Sequence, residues 1–148
     1  MNIIDLDNQT QLAIDVAILE KIALSLTFRD IELIVTDNTS ITKLNAAYRD
    51  KNVSTDVLSF PLKNNFEATV LENMPLGSIV ISADFVKVKA KELGHTLKDE
   101  LSLLFIHGLL HLLGYDHEVD NGEMRDKEKN IIETFALPSS LIVRTEEY

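Results

Sequence analysis

At 148 residues and 45% hydrophobic content, the chain is long enough for one domain with a single core and needs no staples to build it. It has no cysteine, so disulfides and thiolate ligands are excluded, and any zinc must be held by nitrogen and oxygen. A formal net charge of −10 argues against broad electrostatic binding of nucleic acid, so any phosphate contact has to be local.

The chain opens on Met-Asn-Ile-Ile-Asp, without a basic region ahead of an apolar run, and no apolar stretch has the length of a bilayer. The expectation is a soluble, cytoplasmic protein with no membrane contact. Ile3 to Leu6 alternates weakly as a short strand, and Gln11 to Leu26 places Leu12, Val16, Leu19, Ile22, Ala23 and Leu26 at helical spacing. Period two appears from Asp30 to Thr36, and Asp37-Asn38 ends this second strand. Thr39 or Ser40 can cap a short helix through Tyr48, with a polar loop from Arg49 to Thr55 after it.

Asp56 to Leu62 is apolar enough for a third strand, whose Pro61 marks an edge or an exit. Lys63 to Pro75 has no clear period and reads as a loop. Gly77 to Ser82 is a fourth strand; Ser82 then caps a helix to Leu93 that Gly94 stops. The run Lys87, Lys89, Lys91 and Lys98 reads as a solvated helix face. Thr96 starts the next helix, with Asp99 and Glu100 in the first turn, where the helix dipole favours acids. From Leu101 to Leu113 the apolar residues go nearly all the way round, so other elements must cover this helix. Gly122 to Ala136 forms a last amphipathic helix through Met124, Ile131, Ile132 and Phe135, ended by Pro138 before a short tail. This order predicts one α+β domain over residues 1–148. Its mixed sheet has roughly four strands, with helices packed mostly on one face and the buried helix at the centre.

That buried helix carries His107-Gly-Leu-Leu-His111-Leu-Leu-Gly-Tyr-Asp-His117. His107 and His111 are one turn apart on one face, and a left-handed stop at Gly114 turns the chain so that His117 returns toward them. Three imidazoles with a fourth position left open are the layout of a catalytic zinc site, with one zinc per chain. The expected cleft runs along the sheet's edge. The spacing is shared with the metzincin proteases, but their general base falls on Gly108, which cannot accept a proton, so peptide hydrolysis is disfavoured. Asp116 has three readings: an acceptor that orients a ligand ring, a weak fourth ligand, or a turn residue. His95 lies outside the spacing and reads as structural or exposed.

Several segments, in order, resemble the bacterial YbeY family: Asn45-x-x-Tyr48-Arg49, Ser54 to Pro61, Gly77-x-Ile79-x-Ile81-Ser82 and the histidine segment. The resemblance spans most of the chain. It implies a single-strand-specific, metal-dependent endoribonuclease acting in 3′-end maturation of small-subunit (16S) ribosomal RNA and in ribosome quality control. The implied partners are single-stranded RNA and the small ribosomal subunit or its assembly factors, with no DNA. It also implies His107, His111 and His117 as zinc ligands and Arg49 as a functionally important arginine. Arg49 and Asp116 are the candidate catalytic residues, Arg49 because its planar fork can hold two phosphoryl oxygens at once. Ser78 stands where the family commonly has Asp, and it reads as structural. The rival readings are an assembly or RNA-binding factor whose zinc is purely structural, and a metal-dependent hydrolase of another substrate. A protein side chain in the fourth coordination position would mark the zinc as structural.

Overall fold

The computed structural model describes residues 2–62 and 74–146, so most of the loop expected at 63–75 lies outside the described residues. The elements run β1 (Ile4–Asn8), α1 (Val16–Leu24), β2 (Ile31–Thr36), α2 (Asn38–Arg49), β3 (Val57–Pro61), β4 (Gly77–Ser82), α3 (Ala83–Leu93), α4 (Leu97–Leu112), α5 (Glu123–Thr134) and α6 (Ser139–Thr145). The four strands form one sheet in the order β1-β2-β4-β3, with β1, β2 and β4 parallel and β3 antiparallel at the edge. This is the expected α+β architecture with a mixed sheet. Among the described residues no helix is long and apolar enough to cross a membrane.

The helices divide unequally between the two sheet faces because one face is apolar along most of the sheet, whereas the other is apolar only around Ile34, Leu58, Phe60 and Val80. Ile31, Leu33 and Val35 of β2 and Ile79 and Ile81 of β4 are fully buried in the main core, which they share with α1, α3, α4, α5 and α6. On the opposite face Ile41 of α2 covers Leu58 and Val80 in a second, smaller cluster. The central helix α4 packs on β3 and β4 and is wrapped by α1, α3, α5 and α6, which explains an apolar surface that goes all the way round.

Local details differ from the periodic pattern. Helix α1 begins at Val16, capped by Asp15, and not at Gln11. Leu12 is still buried, but from a turn in which the Thr10 hydroxyl and the Leu12 carbonyl are tied to the Asn8 side chain. Helix α2 is capped by Asp37, whose Oδ1 accepts from the Ser40 amide at 2.8 Å, and it extends to Arg49, so that arginine ends a helix and does not open a loop. The tail is itself helical: Leu141 of α6 is fully buried, and Arg144 Nη1 donates to both carboxylate oxygens of Glu100 at 2.6 and 2.9 Å. Glu100 is therefore a buried ion-pair partner as well as a first-turn acid.

Candidate metal centre

Helix α4 starts where Thr96 Oγ1 accepts from the Asp99 amide at 3.1 Å, and its sixteen residues carry His107 and His111 one turn apart near its end. Their Nε2 atoms face each other at 3.2 Å. The helix closes with the Tyr115 amide on the Leu110 carbonyl at 3.0 Å and Gly114 at φ +101°, a conformation that favours glycine. A tight turn follows, in which Asp116 Oδ1 accepts from the Glu118 amide at 3.0 Å and the Asp116 carbonyl accepts from Asp120 at 3.1 Å. The Asp120 carboxylate then accepts from Gly122 and Met124, joining the turn to α5, and these two amides hold its pKa below the usual carboxylate value. The turn returns His117 to the helix, with ring centroids 5.0 Å from His107 and 5.3 Å from His111.

One ligand nitrogen from each histidine lies within 4.8 Å of the other two. Two nitrogens bound at about 2.0–2.1 Å to one tetrahedral ion stand roughly 3.3 Å apart, so the 3.2 Å between His107 and His111 fits a shared transition metal. Burial first, and then the neighbouring His107 and His117 rings, hold the His111 pKa below 6.5 against smaller opposing pulls from the Tyr115 backbone and Asp116. Its neutral form, the one that can donate a lone pair, is therefore favoured at neutral pH. Among the described residues this potential metal-binding group consists of the three histidines, without Asp116.

The three rings open into a cleft of about 710 Å³ along the edge strand, whose walls include Arg49, Asp56, Ser59 and Asp116. Arg49 and the histidines thus share one cavity although they come from opposite faces of the sheet. Asp116 lies in the same cleft with one carboxylate oxygen engaged in the turn. Ser78 is elsewhere, donating to Glu32 Oε1 at 2.8 Å beside a second groove of about 680 Å³ that Asp30 and Glu32 also line. His95 sits with Nδ1 at 3.1 Å from the Ser140 hydroxyl, a contact between the α4 entry and α6. In the lysine run, Lys89 pairs with Glu92 and Lys98 with Asp15, as a solvated face does.

A family model described as Endoribonuclease YbeY matches residues 2–136. The chain belongs to the YbeY family. Similar proteins include the Endoribonuclease YbeY of Sulfurovum sp. (strain NBC37-1), 65% identical over 144 residues, covering 97% of this chain and 98% of that one. The Endoribonuclease YbeY of Aliarcobacter butzleri is 60% identical over 141 residues, covering 95% of this chain and 98% of that one. The solution structure of TM1509 from Thermotoga maritima superposes with a TM-score of 0.57 at 24% identity, over 97% of this chain and 92% of that one, and it bears on the fold alone.

Gly108 has a packing reason within this family member. A Cβ there would lie 2.8 Å from Ile79 Cγ2 and 3.2 Å from both Ser59 Oγ and Val57 Cγ2, and the Ser59 hydroxyl donates to the Gly108 carbonyl at 2.9 Å. The helix therefore touches the sheet with its backbone, and a metzincin glutamate would have no room. Gly108→Ala should lower stability by about 1–3 kcal/mol, since the overpacking outweighs a gain of about 1 kcal/mol in helix propensity. Thermal melting checks this, and a variant as stable as the parent would mean that α4 lifts from the sheet at no cost.

Sequence reasoning missed Glu128. It is fully buried on α5 with Oε1 2.7 Å from His107 Nδ1. The available signal was its place among Met124, Ile131 and Ile132, the residues that α5 buries. An acid within an apolar stripe demands a partner.

Proposed function

We propose that this chain is a zinc-dependent endoribonuclease that cleaves single-stranded RNA, acting in the cytoplasm in 3′-end maturation of small-subunit (16S) ribosomal RNA and in ribosome quality control. The small subunit or its assembly factors would present the substrate. The observation that carries this reading is the meeting of three imidazoles and an arginine in one cleft of a YbeY-family chain.

His107, His111 and His117 would hold the zinc; when bound, it supplies a Lewis acid for a phosphoryl oxygen and lowers the pKa of a coordinated water to about 7. The rest of the work belongs to the side chains. Cleavage of a phosphodiester spreads negative charge over the phosphoryl oxygens, and Arg49 projects a permanent, forked cation into the cleft that can bind two of them. A chain of net charge −10 repels RNA at long range, so a local contact of this kind is what its substrate requires. Asp116 keeps one carboxylate oxygen on the Glu118 amide, and in this reading it holds the turn that delivers the His117 ring.

The rival, a structural zinc in a binding factor, calls for a fourth protein ligand, and the potential metal-binding group among the described residues has three members. Incubation of a defined single-stranded RNA with zinc-replete protein should give cleavage that a chelated sample lacks, while a peptide stays intact. RNA bound tightly but left whole by the zinc-replete protein would favour the binding factor.

A further inference from the structure

We infer that Glu128 is a positioning residue for the metal centre, acting through His107; the inference rests on the zinc reading above. Among the described residues three glutamates are buried, and they differ in what they meet. Glu20 accepts from the backbone amides of Ile3 and Ile4 at 3.0 and 2.8 Å, and Glu100 receives the Arg144 guanidinium. Glu128, with no exposure to solvent, meets an imidazole: its Oε1 lies 2.7 Å from His107 Nδ1, and among the described residues its Oε2 has no hydrogen-bond partner.

For stability alone this is a poor choice, because an apolar side chain on the buried stripe of α5 would carry no desolvation cost. The geometry has a use instead. A carboxylate only accepts, so the proton belongs on Nδ1, and the lone pair of the same ring belongs on Nε2, the atom that faces His111 Nε2 at 3.2 Å. Turning the ring over would break the bond to Glu128, so the carboxylate holds both the tautomer and the orientation of the first ligand. An ionised carboxylate there would also make the ring a stronger donor, and a divalent cation held by the three rings would offset the charge buried in the core.

Two variants separate this role from plain packing. Glu128→Met keeps the volume and removes the acceptor; Glu128→Gln keeps an acceptor and removes the charge. Zn²⁺ affinity is read by competition with a chromophoric chelator, coordination by the Co²⁺ absorption spectrum, and stability by melting of the metal-free proteins. Positioning predicts that Glu128→Met binds Zn²⁺ about 10–100-fold more weakly with an altered Co²⁺ spectrum, over and above any fall in metal-free melting from the lost hydrogen bond to His107. Glu128→Gln should fall between the two in affinity. Glu128→Met with parental Zn²⁺ affinity and spectrum would overturn the inference, as would a lower metal-free melting temperature with unchanged affinity, which marks a structural role. A parent that binds no Zn²⁺ would sink the zinc reading and this inference with it.

Discussion

His111→Ala should lose its metal and its cleavage activity together and melt at a lower temperature than the parent. The ring is the one that stands 3.2 Å from His107 Nε2, so its removal leaves two nitrogens where a tightly held transition metal needs three. Metal bound only by the folded chain adds to stability by mass action, about 4 kcal/mol at a thousand times the dissociation constant, and the variant forfeits that increment. Elemental analysis and calorimetry, each with and without chelator, test both halves. Full metal content with parental melting would remove His111 from the ligand set. Acidification should act in the same direction. The folded-state pKa of His111 lies below the ordinary 6.5, so the unfolded chain takes up the proton first. The stability contributed by the neutral ring is therefore complete above that value and is lost as pH falls toward the folded-state pKa. Protons also compete with the metal for the same nitrogen.

Arg49→Ala should bind metal as the parent does, keep its melting temperature and lose cleavage rate by about 10²–10³-fold, by analogy with removing one donor to a developing oxyanion. The side chain is exposed at the last residue of α2, and the loop after it is held independently: Asp50 takes the left-handed cap, and the Asn45 side chain donates through Nδ2 to the Val53 carbonyl at 2.9 Å. Truncation therefore leaves the core and the imidazoles in place. Arg49→Lys should not restore the rate, because an ammonium cannot reproduce two parallel bonds to a phosphoryl group. Single-turnover rates and RNA affinity, measured for both variants at one salt concentration, decide the case. Normal cleavage with weakened binding would make Arg49 a substrate-positioning residue, and loss of zinc would place it wrongly altogether.

What could be read directly was whatever depends on neighbours along the chain. The His107 and His111 pair follows from a period of 3.6, the return of His117 from a glycine stop, and the burial of α4 from an apolar surface with no polar side. The same logic failed where periodicity is ambiguous or the element short. Leu12 fits the α1 pattern but is buried from a turn, and the seven residues of α6 give too little pattern to be recognised. The rest rests on contacts between distant segments. Glu128 against His107, Arg144 against Glu100, Gly108 against the Ser59 hydroxyl, and Arg49 in the histidine cleft each join residues whose separation carries no periodic signal. By itself the sequence determined that three nitrogens converge on one point. Only the packing of α5 on α4, and of α2 and α4 on opposite faces of one edge strand, decided which acid stands behind His107 and which cation shares the histidine cleft. Those contacts are chosen by burial of whole faces, a property that no local spacing encodes.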